Sequence, residues 1–236
     1  MAFPELSVQA LAGSEYWWIR EANPSVMRGS VVWVLVPFHT GMHVRLVVQR
    51  KPNEPNDHFA AKLITAEQYT LTSPDVPQDL PIAMLPSVED GHYTLRVVKK
   101  RPALVLGLPG QDIPHNLVQG KPHSRTVPCI QVAPYYTVVK PGELPRYSAE
   151  LLEMVQRLRF SQFFYEELPI PGGFPSILRF DQIQSVPAKE RDFYEKTPWR
   201  LSGHAMAIID EILETHLWGG IPEKGILATT VLPLLA

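Results

Sequence analysis

Cysteine is almost missing from this chain. A single thiol, Cys129, stands among 236 residues, so no internal disulfide can form and a cysteine-based zinc site lacks its usual ligand set. Flanked by Pro128 and Ile130, with no cation beside it to activate it, Cys129 reads as a packing residue rather than a nucleophile. An excess of either charge is missing too. The 22 Lys+Arg against 24 Asp+Glu give a formal net charge of −2, which excludes a long basic tail for nucleic acid. Long apolar runs are absent. The stretch from Gly29 to Val44 is broken by Pro37, His39 and Gly41, well short of the ~20 apolar residues that span a bilayer. The opening Met1-Ala2-Phe3-Pro4-Glu5 carries no basic residue of the kind that begins a secretory signal. A cytoplasmic protein with no membrane partner is therefore expected. The eight histidines include no His-x-His or His-Glu-x-x-His pair, and Gly-x-Gly-x-x-Gly, Gly-Lys-[Ser/Thr] and Gly-x-Ser-x-Gly are all absent. No metal site and no cofactor are expected.

What the chain does have is proline, 24 residues, about twice the ordinary usage of ~5%. Proline favours turns, bulges and edge strands over long helices. With 45% hydrophobic residues the chain can bury a core, and its length suits one domain with insertions. Short β-prone runs bounded by Gly, Pro or Asp occur at Ser30–Val36, Val44–Val48, Tyr93–Val98, Ala103–Leu106, Cys129–Ala133 and Ser176–Phe180. The continuously apolar Ala103–Leu106 is expected to be buried on both faces.

Two helices are expected against this β background. One follows Ser148 as N-cap and carries Leu151, Leu152, Val155 and Leu158 at helical spacing; the other follows Ser202, buries Ala205, Ile208, Ile209, Ile212 and Leu213, and stops at Gly219-Gly220. The nearly uncharged end, Ile226 to Ala236, contains the β-prone Thr229-Thr230-Val231-Leu232 and needs a cover, its own sheet or another subunit. Residues 52–91 hold six prolines, at 52, 55, 74, 77, 81 and 86, and read as an insertion folded against the rest.

Three segments taken in order, Arg28-Gly29-Ser30-Val31-Val32-Trp33, Lys100-Arg101-Pro102-Ala103-Leu104-Val105-Leu106 and Val132-Ala133-Pro134-Tyr135-Tyr136-Thr137, followed by Leu178-Arg179-Phe180-Asp181-Gln182-Ile183 and a closing amphipathic helix, resemble the MazF/PemK family of bacterial toxins. The resemblance implies a mainly β, α+β fold: a small SH3-like barrel with inserted segments and a C-terminal amphipathic helix. The whole chain, 1–236, would be one such domain, with insertions at about 38–99 and 138–174 and an apolar tail at 221–236. It also implies an endoribonuclease of the mRNA-interferase type, a homodimer, single-stranded RNA as substrate, and an antitoxin or other protein partner that blocks the groove. The chain departs from the family in length, in Ser30 where an acid is usual, and in Tyr136 where a Ser or Thr is usual, Thr137 lying one place later.

Cleavage by the neighbouring 2′-OH needs a proton acceptor, a proton donor for the leaving 5′ oxygen, and positive charge on the phosphoryl oxygens. The resemblance assigns this work to Arg101, Arg179 and Asp181, with Thr137 one place past the hydroxyl position and Gln182 completing the Arg-x-Asp-Gln match as an RNA contact. From their chemistry, Tyr135, Tyr136 and Tyr147 are candidates to stack on unpaired bases, and His39, just after the first strand, is a candidate to face the groove and aid proton transfer. Arg179 and Asp181, two apart on an expected strand, would share one face about 7 Å apart. The plainer reading makes the pair a solvated surface couple, Arg101 part of a basic strand start with Lys99 and Lys100, the tyrosines packing residues and His39 a turn residue. The corresponding alternative for the whole protein is a catalytically silent barrel that acts through a protein partner. The −2 balance favours it; the presence of Arg101, Arg179 and Asp181 favours the enzyme.

Overall fold

A computed structural model describes residues 7–13, 16–37, 43–48, 63–69, 94–95, 97–118, 127–139, 142–171, 173–189 and 192–235. The strands are β1 (Trp18–Arg20), β2 (Ser30–Pro37), β3 (His43–Val48), β4 (Leu63–Tyr69), β5 (Thr94–Leu95), β6 (Val98–Gly107), β7 (Cys129–Thr137), β8 (Phe163–Glu167), β9 (Pro175–Arg179), β10 (Gln184–Pro187) and β11 (Tyr194–Leu201). The helices are α1 (Val8–Leu11), α2 (Ala149–Gln156), α3 (Gly203–Trp218) and α4 (Leu232–Leu235). The chain divides into two compact units, residues 36–99 and the remainder. In the unit of residues 36–99, the antiparallel strands β4, β3 and β5 pair in that order.

The larger unit is an eight-stranded sheet in the order β1-β11-β2-β6-β7-β9-β8, with β10 also on β7. Its pairings are antiparallel at β1–β11, β11–β2, β6–β7, β7–β9, β7–β10 and β8–β9. Ala103 to Leu106 is buried throughout, as its unbroken apolar run requires. Gly29, at φ +83°, turns the chain into β2 where its N–H reaches Val105 and its carbonyl accepts from Leu201. A side chain at this position would also press on Leu201.

A closed barrel does not form through strand pairing, because among the described residues the path ends at β1 and β8. Side chains bridge these two ends instead. Trp17 Nε1 donates to Glu166 Oε2 at 2.7 Å, and Trp18 Nε1 donates to the Glu167 carbonyl at 2.9 Å. Gln9, on α1, clamps the backbone of Glu167 from both sides, accepting from its N–H at 2.7 Å and donating to its carbonyl at 3.2 Å. Polar groups on the β8 edge that would otherwise invite another strand are thereby satisfied.

Helix α3 places Ala205, Ile208, Ile209 and Ile212 on one stripe against Leu104, Ala133, Tyr135, Leu178 and Leu201. Ser202 caps it by accepting from the Ala205 N–H at 3.1 Å. Ser148 does the same for α2 with the Leu151 N–H at 3.2 Å. That helix is shorter than its apolar spacing suggests. It ends at Gln156, and Leu158 adopts φ +54° just beyond the Arg157 cap, a left-handed position that stops the turn. Its buried side packs with Val138, Tyr165 and Ile177 on the opposite face of the sheet from α3.

The C-terminal segment is helical despite its β-prone Thr229-Thr230-Val231-Leu232. Leu227–Val231 forms a π-helical turn that runs into α4, and Leu227 and Val231 are buried in the chain's own core. The Glu211 carboxylate fixes the start of this turn by accepting from the N–H groups of Ile226 and Leu227, at 2.7 and 2.8 Å. Leu227 and Val231 thus find cover within the chain itself.

Candidate active site

The site is created by an interruption in one strand edge. β9 pairs with β7 up to Leu178 opposite Tyr135, and β10 resumes with Gln184 opposite Val132. The intervening five residues, 179–183, face only Ala133 and Pro134. The surplus is taken up by a 3₁₀ turn, Phe180–Gln182, that buries Phe180. Pro134 has no N–H to offer a ladder, so it lies where pairing can lapse at least cost. Arg179 and Asp181 therefore do not stand on one straight strand, as their spacing suggested. The turn brings them into direct contact: Arg179 Nε donates to Asp181 Oδ1 at 2.7 Å and Nη2 donates to Oδ2 at 2.5 Å. This fork holds the carboxylate in a fixed plane while leaving one lone-pair direction on each oxygen.

On the neighbouring strand, continuing the register of Ala103 opposite Pro134 sets Arg101 opposite Tyr136. The Arg101 guanidinium lies 4.1 Å from the Tyr136 ring centre and that of Arg179 lies 5.6 Å from it. Arg179 also sits 4.7 Å over the ring of Phe163 on β8. The Tyr136 hydroxyl donates to Gln182 Oε1. Four segments thus converge, bringing together Arg101, Tyr136, Arg179, Asp181 and Gln182. Burial pushes the Tyr136 phenol above its ordinary range, against the opposing pull of Arg101 and Arg179. At neutral pH it is a proton donor. The hydrogen bonds to Asp181 push the Arg179 guanidinium further from deprotonation.

Three expected members do not join this group. Tyr135 is 1% exposed, with its hydroxyl donating to buried Glu166 Oε1 at 2.5 Å, so it cannot stack on RNA; strand alternation turns it to the α3 side. The same alternation sends Thr137 to the Tyr135 side, away from Arg101 and Arg179. His39 lies outside the described residues.

The structure adds residues that the sequence did not single out. Asp181 also lines a cavity of about 480 Å³ together with Gln131 and His216, the imidazole standing 6.2 Å from the Phe180 ring. His216 continues the buried α3 stripe four residues past Ile212, a spacing that could have marked it as inward-facing. A second cavity, about 590 Å³, opens beside α2 and includes Tyr147, which the sequence had already offered as a stacking ring. Among the described residues, no group of three or more His, Cys, Asp or Glu side chains has a metal-holding arrangement, and no helix is long and apolar enough to cross a membrane. No protein-family model, curated protein or solved structure matches the chain.

Proposed function

We propose that this protein is a toxin-type endoribonuclease that cuts single-stranded RNA by attack of a 2′-OH on the adjoining phosphodiester, and that its sheet is a variant of the SH3-like barrel of the MazF/PemK family, closed by side chains. The observation that carries the reading is the convergence of Arg101, Tyr136, Arg179 and Asp181, which are spread over more than 80 residues of sequence, around one aromatic ring. Their chemistry matches the reaction. Asp181 accepts the 2′-OH proton on a lone pair that Arg179 leaves unused. Arg101 and Arg179 stabilise the charge that builds on the phosphoryl oxygens, and the guanidinium fork suits this better than an ammonium. Tyr136, held protonated by burial, donates to the leaving 5′ oxygen. These side chains complete the proton transfers without a cofactor.

The net charge of −2 is compatible with an anionic substrate because Arg101 and Arg179, both close to the Tyr136 ring, supply positive charge locally. A protein inhibitor that covers this face, a homodimeric assembly and a cytoplasmic location belong to the same proposal. The test is incubation of purified protein with a mixed-sequence RNA in EDTA, followed by analysis of the ends. Fragments that end in 2′,3′-cyclic phosphate support the reading. Folded, inhibitor-free protein that cuts no RNA contradicts it and favours the silent binding module.

A further inference from the structure

The cavity of about 590 Å³ beside α2 has the size of a small-molecule site, for which ~300–1,000 Å³ is usual. Its apolar wall is formed by Val138 after β7, Leu152 on α2, Tyr165 on β8 and Pro175 at the start of β9. Tyr147, Ser148 and Glu167 also line this cavity. One observation connects it to the arginine cluster. Phe163, over which Arg179 sits, belongs to the same apolar cluster as Val138, Leu152, Tyr165 and Tyr147. A ligand phosphate at the arginines would carry its neighbouring group toward this apolar, aromatic-rimmed space.

In RNA the group next to a phosphate is a ribose bearing a base. Unpaired bases are bound by stacking on aromatic rings and by hydrogen bonds to the exposed edge. Glu167 supplies the edge chemistry. Its backbone is held by Gln9 and Trp18, and alternation along β8 puts its side chain on the same face as Phe163 and Tyr165. A carboxylate only accepts hydrogen bonds when ionised, and guanine is the base that offers it two adjacent donors, N1–H and the 2-amino group. We infer that this cavity is a guanine pocket that selects the nucleotide beside the scissile phosphate, an inference that rests on the endoribonuclease reading for its phosphate.

The test is an NMR titration of the full chain with guanosine 3′-monophosphate and, separately, cytidine 3′-monophosphate. Guanosine 3′-monophosphate is expected to bind at least tenfold more tightly. Ala149→Phe narrows the cavity from an exposed position in the first turn of α2 and is expected to weaken guanosine 3′-monophosphate binding at least tenfold with the fold intact. Glu167→Gln is expected to erase the preference for guanine. Absence of guanosine 3′-monophosphate binding, or binding that neither substitution alters, overturns the inference. An RNA-cleaving protein that fails this titration loses the pocket and keeps the enzymatic reading. A protein that passes but cuts no RNA keeps the pocket and loses the enzymatic reading.

Discussion

Replacing Glu166 by Gln should change how stability depends on pH. Glu166 is fully buried between Trp17 and Tyr135, accepting 2.7 and 2.5 Å hydrogen bonds from them, at the seam where the two ends of the sheet meet. Burial raises its carboxyl from 4.5 to about 7, even though both hydrogen bonds favour the charged form. The native state therefore keeps a proton between pH 4.5 and 7 that the unfolded chain has already released. The associated stability is fully present below 4.5 and is lost as pH rises through 7. At about 1.4 kcal/mol per tenfold in proton affinity, the whole effect is roughly 3 kcal/mol. Glu166→Gln retains the shape but does not titrate, so the difference in unfolding free energy between the wild type and the variant should change by about that amount between pH 4.5 and 8. The wild type should lose ground to the variant at the alkaline end. Urea unfolding of both proteins at the two pH values measures the difference and cancels groups common to both. A wild-type minus variant difference that stays constant across this range would refute the claim that Glu166 is protonated in the native seam near neutrality.

Other substitutions separate the chemistry from the scaffold. Asp181→Asn should lower cleavage by about 10²-fold or more, the usual scale for a lost general base, while changing stability by at most ~1 kcal/mol, since the ion pair is partly exposed; single-turnover rates and urea unfolding read the two effects. Tyr136→Phe keeps the ring on which both guanidinium groups rest and removes the proposed acid, so kcat should fall with little change in RNA affinity measured by filter binding. Arg101→Lys should also reduce turnover, because a point charge cannot reproduce a planar fork. Gly225→Ala would place a methyl group 2.4 Å from Glu211 Oε2, and Glu211 cannot swing away without giving up the Ile226 and Leu227 N–H groups. A loss of roughly 1–3 kcal/mol is expected, measured by thermal or urea unfolding.

The parts of the fold that could be read from sequence were those set by strong local signals. Ser148 and Ser202 mark their helix starts because a hydroxyl meets an orphan N–H there, and the α3 stripe repeats at helical spacing. β11 was obscured by its charges and Pro198. The register shift between Lys196 and Arg200 shows how a strand accommodates such a sequence, with a bulge. β8 was obscured by Glu166, whose inward position depends on Trp17 and Tyr135, partners distant in sequence. The same non-local dependence governs the site. Arg101, Arg179 and Asp181 were visible as residues, but the fork joining Arg179 to Asp181 comes from a register slip against Pro134. The turning of Tyr135 and Thr137 away from the site follows from alternation once Ala133 is fixed in the core. The tail carried β-prone residues, yet Glu211 fixes its first turn and Leu227 and Val231 draw it into the core as a helix.

Cleavage by the proposed arginine–tyrosine–aspartate cluster depends on an activated 2′-OH. One oligonucleotide made in two forms isolates that dependence, the two being identical except that the nucleotide on the 5′ side of the mapped cut carries a 2′-OH in one and 2′-H in the other. Single-turnover rates are measured with wild-type protein and with Asp181→Asn. Rapid cleavage of the 2′-OH form by the wild type is expected, with at least about a 10²-fold loss in the variant and no cleavage of the 2′-H form by either. Wild-type cleavage of the 2′-H form at the same position, or an unchanged rate with Asp181→Asn, would contradict this mechanism.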